Sequence, residues 1–173
     1  MGAWRAPSIL VLVVLLTAPA RGQEEDVLRP CRRADLIGFW RVVRFGFATG
    51  ATVDRDDPVY QMHQRYVFNA NATMAYSASD VPPTPDEHRA LLLAPAPATW
   101  ALDGGGRLMR QQAGVPRVAT SECRVVTQVV QDPRSKVPAM PGDVLLTDQG
   151  ADERPITRRL LRRVRTGDER RAP

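Results

Sequence analysis

Read for alternation of apolar and polar positions, the chain breaks into eight short segments rich in Val, Tyr, Phe and Trp, separated by Gly, Pro, Asn and Asp. They cover 36–47, 59–68, 73–79, 99–103, 107–112, 123–130, 143–147 and 156–164. Two of the breaks read as hairpin turns: Asn69-Ala70-Asn71-Ala72, whose residues tolerate left-handed backbone, and Asp103-Gly104-Gly105-Gly106. The period of two assigns faces. Tyr60, Met62, Tyr66 and Phe68 share one side of the second segment, with Gln61, His63 and Arg65 on the other. Met74 and Tyr76 oppose Thr73, Ala75 and Ser77, and Trp100 pairs with Leu102. Val125 and Val129 follow Cys123, although Val126 and Val130 give the opposite face an equal claim.

Eight short antiparallel strands with one apolar side each must close or stack to protect their edges. The fold class predicted is therefore all-β: a small up-and-down eight-stranded barrel, just wide enough to be filled by side chains or to hold one small ligand. One stretch departs from the strand pattern. Thr84 as N-cap, Pro85 at the first helical position and Glu87 three residues on from Thr84 form a capping box, and 90–93 completes about two turns of a helix over the rim or wall. The last segment is double-edged. Ile156, Leu160, Leu161 and Val164 recur at helical spacing, with arginines on the remaining face of a basic amphipathic helix. Closing a barrel instead demands a strand, with Ile156, Leu160 and Val164 inward and Arg158 and Arg162 between them, and the strand is the reading adopted.

Composition changes the picture at both ends. Arg5, an apolar run at 9–17 and the small residues that follow read as a secretory signal peptide over 1–22, cleaved after Ala20 or Gly22. An N-terminal arm (23–35), a barrel domain (36–165) and a basic tail (166–173) complete the expected organisation. Secretion gives the two cysteines a meaning: in an oxidising compartment Cys31 and Cys123 pair, two buried thiols being the alternative. Such a bridge closes a loop of about 90 residues and is worth ~4–5 kcal/mol by chain entropy. The formal charge of +5 belongs largely to the final stretch, where residues 154–173 hold eight arginines against Asp168 and Glu169. The body is mildly acidic, which excludes a nucleic-acid-binding domain, and the apolar run near the N-terminus is too short for stable membrane insertion.

No motif supplies catalysis. The chain lacks Gly-x-Ser-x-Gly, His-Glu-x-x-His, Cys-x-x-Cys and P-loop patterns, and neither His63 nor His88 has a nucleophile beside it in sequence. Met62 and His63 alternate onto opposite faces, which argues against a copper site with Met74 and Met109. Asp54, Asp56 and Asp57 lack the spacing of a calcium loop. The expectation is a monomer that is no enzyme and carries no cofactor and no metal.

Gly38-Phe39-Trp40, at the start of the first strand of such a chain, resembles the Gly-x-Trp signature of the lipocalins, and the chain is similar in outline to divergent bacterial lipocalin-like proteins. The resemblance implies that Trp40 closes the barrel base against an arginine from the end of the last strand. The segment "ITRRLLRRV" offers Arg158, Arg159, Arg162 or Arg163, and Arg159 is the expected partner. It also implies a lid loop after the first strand, over 48–58. The family's second element, Thr-Asp-x-x-Tyr, is matched only by Thr147-Asp148 without its tyrosine, and the helical insertion is unlike typical members. The function implied is a secreted or periplasmic protein that binds a small hydrophobic molecule. Tyr66, Phe68, Met74, Tyr76, Trp100 and Met109 are the inward residues expected to line the cup. A solid barrel that meets an envelope partner is the alternative.

Overall fold

A computed structural model describes residues 27–51, 60–150 and 154–165; the expected signal peptide, most of the expected lid loop with its three aspartates, and the expected basic tail lie outside the described residues. Eight strands form the barrel: β2 (Gly38–Phe47), β3 (His63–Phe68), β4 (Thr73–Ser79), β5 (Ala98–Leu102), β6 (Arg107–Gln112), β7 (Val118–Val126), β8 (Val144–Gln149) and β9 (Pro155–Arg163). Each pairs antiparallel with the next, and β9 pairs back onto β2 from Trp40–Arg163 to Phe47–Thr157, so the sheet closes on itself. A ninth strand, β1 (Leu28–Pro30), extends the sheet along the far end of β7.

β4 and β6 occupy the segments the alternation predicts, residue for residue. The sixth segment is displaced: β7 starts at Val118, where Gln111 is its ladder partner, and leaves the sheet after Val126. The final segment is a strand, held by ladders to β2 on one side and β8 on the other. Its faces are the reverse of those expected. Thr157, Arg159 and Leu161 point into the barrel, whereas Leu160 packs outside with Val126, Ala139, Val43 and Val130. The physical reason is a covering layer. The chain between β7 and β8 folds back on the outer wall through a Val130–Ala139 bridge, and Asp143 receives two hydrogen bonds from Arg162, at 3.0 and 2.7 Å. An outward apolar residue is therefore buried too.

A second layer covers the wall formed by β2, β3 and β4. Helix α2 (Pro85–Leu93) starts at the Thr84–Glu87 capping box and lays Leu91 on Phe39, Val67 and Ala75. His88 sets its ring 5.7 Å from Phe39 and accepts from Arg65 Nε at 2.9 Å. Between β1 and β2 a single helical turn, α1 (Arg33–Leu36), crosses the base. Asp35 fastens that turn, accepting from the Arg32 amide at 2.7 Å and from both Arg29 terminal nitrogens at 2.7 and 2.8 Å. In β2 a bulge between Val42 and Arg44 re-phases the strand, so that Arg44 reaches Asp132 on the outside and Phe45 faces Arg159 within.

Candidate functional site

The lower half of the barrel is solid. Trp40, Leu36, Phe68, Trp100, Leu108, Cys123, Val144, Leu146 and Leu161 form one buried cluster, closed from below by α1. Cys31 and Cys123 are bonded across this floor, with Cα atoms 5.5 Å apart. Gly106, at φ +85°, lies against the Cys123 carbonyl, where a Cβ would stand 2.8 Å from that oxygen. Trp40 donates its indole N–H to the Leu36 carbonyl at 2.6 Å.

The arginine on Trp40 is Arg163, not Arg159. Its guanidinium lies 4.5 Å from the Trp40 ring centroid and donates to the carbonyls of Asp35, at 2.9 Å, and Ile37, at 2.5 Å. Register dictates this choice. Arg163 is the ladder partner of Trp40, whereas Arg159 stands opposite Phe45, about 13 Å higher at ~3.3 Å per residue. Gly38 is glycine for the same reason. Its φ is +137°, and a Cβ there would overlap the Arg163 guanidinium.

Above the floor the same inward positions turn polar. One strand position up from Tyr66, Leu108, Cys123, Leu146 and Leu161 stand Gln64, Arg110, Ser121, Asp148 and Arg159. Arg159 is 1% exposed and donates to Gln64 Oε1 at 2.7 Å, to Thr157 Oγ1 at 2.9 Å and to Asp148 Oδ2. Thr157 donates to Asp148 Oδ2 at 2.7 Å. Arg110 Nη2 donates to Ser121 Oγ at 2.6 Å and to Asp148 Oδ1 at 2.9 Å, and Ser121 donates to the same oxygen at 2.5 Å. The Tyr66 hydroxyl donates to Gln64 at 3.3 Å. One carboxylate thus organises two arginines and two hydroxyls.

Electrostatics follow from that arrangement. Burial alone would raise the Asp148 pKa, but Arg110, Arg159 and the two hydroxyl donors outweigh it and hold the carboxyl at about 2. Burial, with Tyr66 adding to it, pushes the Tyr76 phenol well above its ordinary value, so it stays a neutral donor. Tyr76 Oη and Arg110 Nε are buried and have no hydrogen-bond partner among the described residues.

Around this layer, at the end opposite the floor, lies a cavity of about 680 Å³. Tyr66, Met74, Tyr76, Ala98, Arg110, Asp148 and Arg159 line it, and Val115, Arg117 and Val118 continue it past the exposed β6–β7 turn. It adjoins the thinnest part of the wall, since β4 and β5 share only the pairs Thr73–Thr99 and Met74–Ala98. Of the six residues expected to line a cup, Tyr66, Met74 and Tyr76 do so. Phe68 and Trp100 belong to the solid floor, where the Trp100 N–H donates to the Asn69 and Thr73 carbonyls and Arg33 stacks on its ring. Met109 alternates with the inward Leu108 and Arg110 and so faces the outside of the barrel.

Gln64, Arg110, Ser121, Asp148 and Thr157 were not anticipated at the site. The first four are each two residues from an inward apolar or cysteine position, and Thr157 is four from the inward Leu161, so strict alternation locates them once polar residues are counted on the inner face. No family model matches this sequence, no curated protein matches it, and no solved structure matches it.

Proposed function

We propose that this protein is a lipocalin-like binding protein that holds a small, largely apolar molecule in the open half of its barrel. The observation that carries the reading is the cavity of about 680 Å³ above a solid floor, within the range of roughly 300–1,000 Å³ common to small-molecule sites. Its lining supports an amphipathic occupant: Tyr66, Met74, Tyr76, Ala98, Val115 and Val118 supply apolar surface, and the polar layer supplies a few fixed donors. The Gly38-Phe39-Trp40 sequence at the base, with Arg163 stacked on the indole, supports the family resemblance. The Cys31–Cys123 disulfide supports residence in an oxidising compartment, secreted or periplasmic.

The test is displacement of an environment-sensitive apolar dye from the purified protein by a panel of lipids and aromatics. Saturable displacement is expected, and Ala98→Phe, which fills the cavity from β5, should weaken it at least tenfold while the thermal melt stays in place. Absence of binding across the whole panel would refute the reading.

A further inference from the structure

The lining of the cavity is not electrically neutral. Arg107, Arg110, Arg117 and Arg159 border it, and Asp148 is its one acidic residue among those described. Asp148 is already saturated, accepting from Arg110, Ser121, Thr157 and Arg159. Two donors are left over. Arg110 spends Nη2 on Ser121 and Asp148, which fixes the guanidinium and leaves Nε unengaged. Tyr76 packs against Tyr66 with ring centroids 4.8 Å apart and the rings tilted by 46°, its hydroxyl likewise unengaged. Buried donors without acceptors are destabilising in an empty protein and become favourable once an acceptor arrives.

We propose that the cavity selects a carboxylate-bearing amphiphile, with its carboxylate received by Arg110 Nε and Tyr76 Oη and its apolar body laid against Met74, Ala98 and Val118. This rests on the reading of the cavity as a ligand cup and names the ligand class. Two donors match the two oxygens of a carboxylate, and the charge on the arginine strengthens the bond. A neutral hydroxyl offers one uncharged acceptor oxygen where a carboxylate offers two charged ones, and a cationic ligand meets the arginines that border the cavity. A phosphomonoester dianion brings a second negative charge towards ionised Asp148.

Titration calorimetry of the purified protein at pH 8 with four probes sharing one chain, dodecanoate, dodecanol, dodecylammonium and dodecyl phosphate, separates these cases. Dodecanoate should bind at least tenfold more tightly than the other three. Tyr76→Phe removes only a hydroxyl that no other group uses, so the fold is retained, and dodecanoate affinity should fall about fivefold with dodecanol unchanged. Arg110→Gln should lower dodecanoate affinity at least tenfold. Equal affinity for dodecanoate and dodecanol, tighter binding of dodecyl phosphate, or an unchanged dodecanoate affinity in Tyr76→Phe would overturn the carboxylate assignment and leave the cup in place. Binding of none of the four while the apolar dye still binds would overturn the carboxylate assignment alone, and loss of dye and panel binding as well would remove the cup.

Discussion

Asp148 concentrates more of the molecule's electrostatics than any other described carboxylate, because it alone stands between two arginines inside the barrel. Its folded pKa of about 2 lies below the ordinary 3.8, so the folded state binds its proton more weakly than the unfolded state does. The stability this confers is therefore complete above pH ~4 and is lost as pH falls through about 2. A shift of nearly two pH units corresponds to roughly 2.5 kcal/mol. Asp148→Asn should cost about 3 kcal/mol at pH 7, because Arg159 is then buried without a counter-charge. Urea midpoints of the two proteins, compared at pH 7, 4 and 2.5, should converge as the acid limb is reached. A constant gap across that range would show that Asp148 acts through packing alone. Its inward place was legible from Leu146, two residues before it, but its role was not. The Thr147-Asp148 pair reads as a truncated family element, and the partners that give it meaning lie on β6, β7 and β9.

At the scale of elements, the strands were legible and their faces only partly so. β3 and β4 carry the inward Tyr66, Phe68, Met74 and Tyr76 that their alternation assigns. β9 does not, because apolar residues at 156, 160 and 164 mark its covered outer face and the inner face carries Thr157 and Arg159. Binary pattern names the buried side only when one side is wet, and here the 127–143 excursion buries Leu160 on the outer face as well. The choice of Arg163 over Arg159 at Trp40 is likewise not in the pattern: ladder register between β2 and β9 sets it, and register is fixed by pairing across the sheet rather than by the order of residues along β9. The outward assignment of Leu160 has a measurable consequence. Leu160→Ala should lower unfolding free energy by about 2–3 kcal/mol, although the residue lines no part of the cavity. Neighbouring Arg158, exposed on the same face, should tolerate alanine within about 0.5 kcal/mol. Hydrogen exchange should accelerate at Val130 and Ala139, whose amides bond each other's carbonyls, in Leu160→Ala only. Dye binding in the cavity should be unchanged in both variants.

For the molecule as a whole, stabilising contacts and candidate chemistry are separated along the barrel axis. The floor holds the Trp40–Arg163 stack, the apolar cluster and the disulfide, while the unengaged donors and the cavity sit at the other end. The Cys31–Cys123 bridge spans 92 residues and encloses every strand from β2 to β6 together with α1 and α2. Cross-linking a loop of that size restricts the unfolded chain by about 4–5 kcal/mol, which for a domain near 150 residues corresponds to roughly 10–15 °C in melting temperature. Beyond chain entropy, the bridge holds Cys31 against β7, where its amide donates to the Cys123 carbonyl at 3.1 Å and so fixes the start of α1 under the floor. The Cys31→Ser/Cys123→Ser double variant should therefore melt about 10–15 °C lower than the oxidised protein. Below that melt its cavity should retain full affinity for the apolar dye, because no residue of the bridge lines it. Differential scanning calorimetry with and without reductant, run beside the dye titration, measures both quantities. A double variant that lost dye binding while still folded would show that floor and cavity are mechanically coupled, contrary to the axial separation of the two halves.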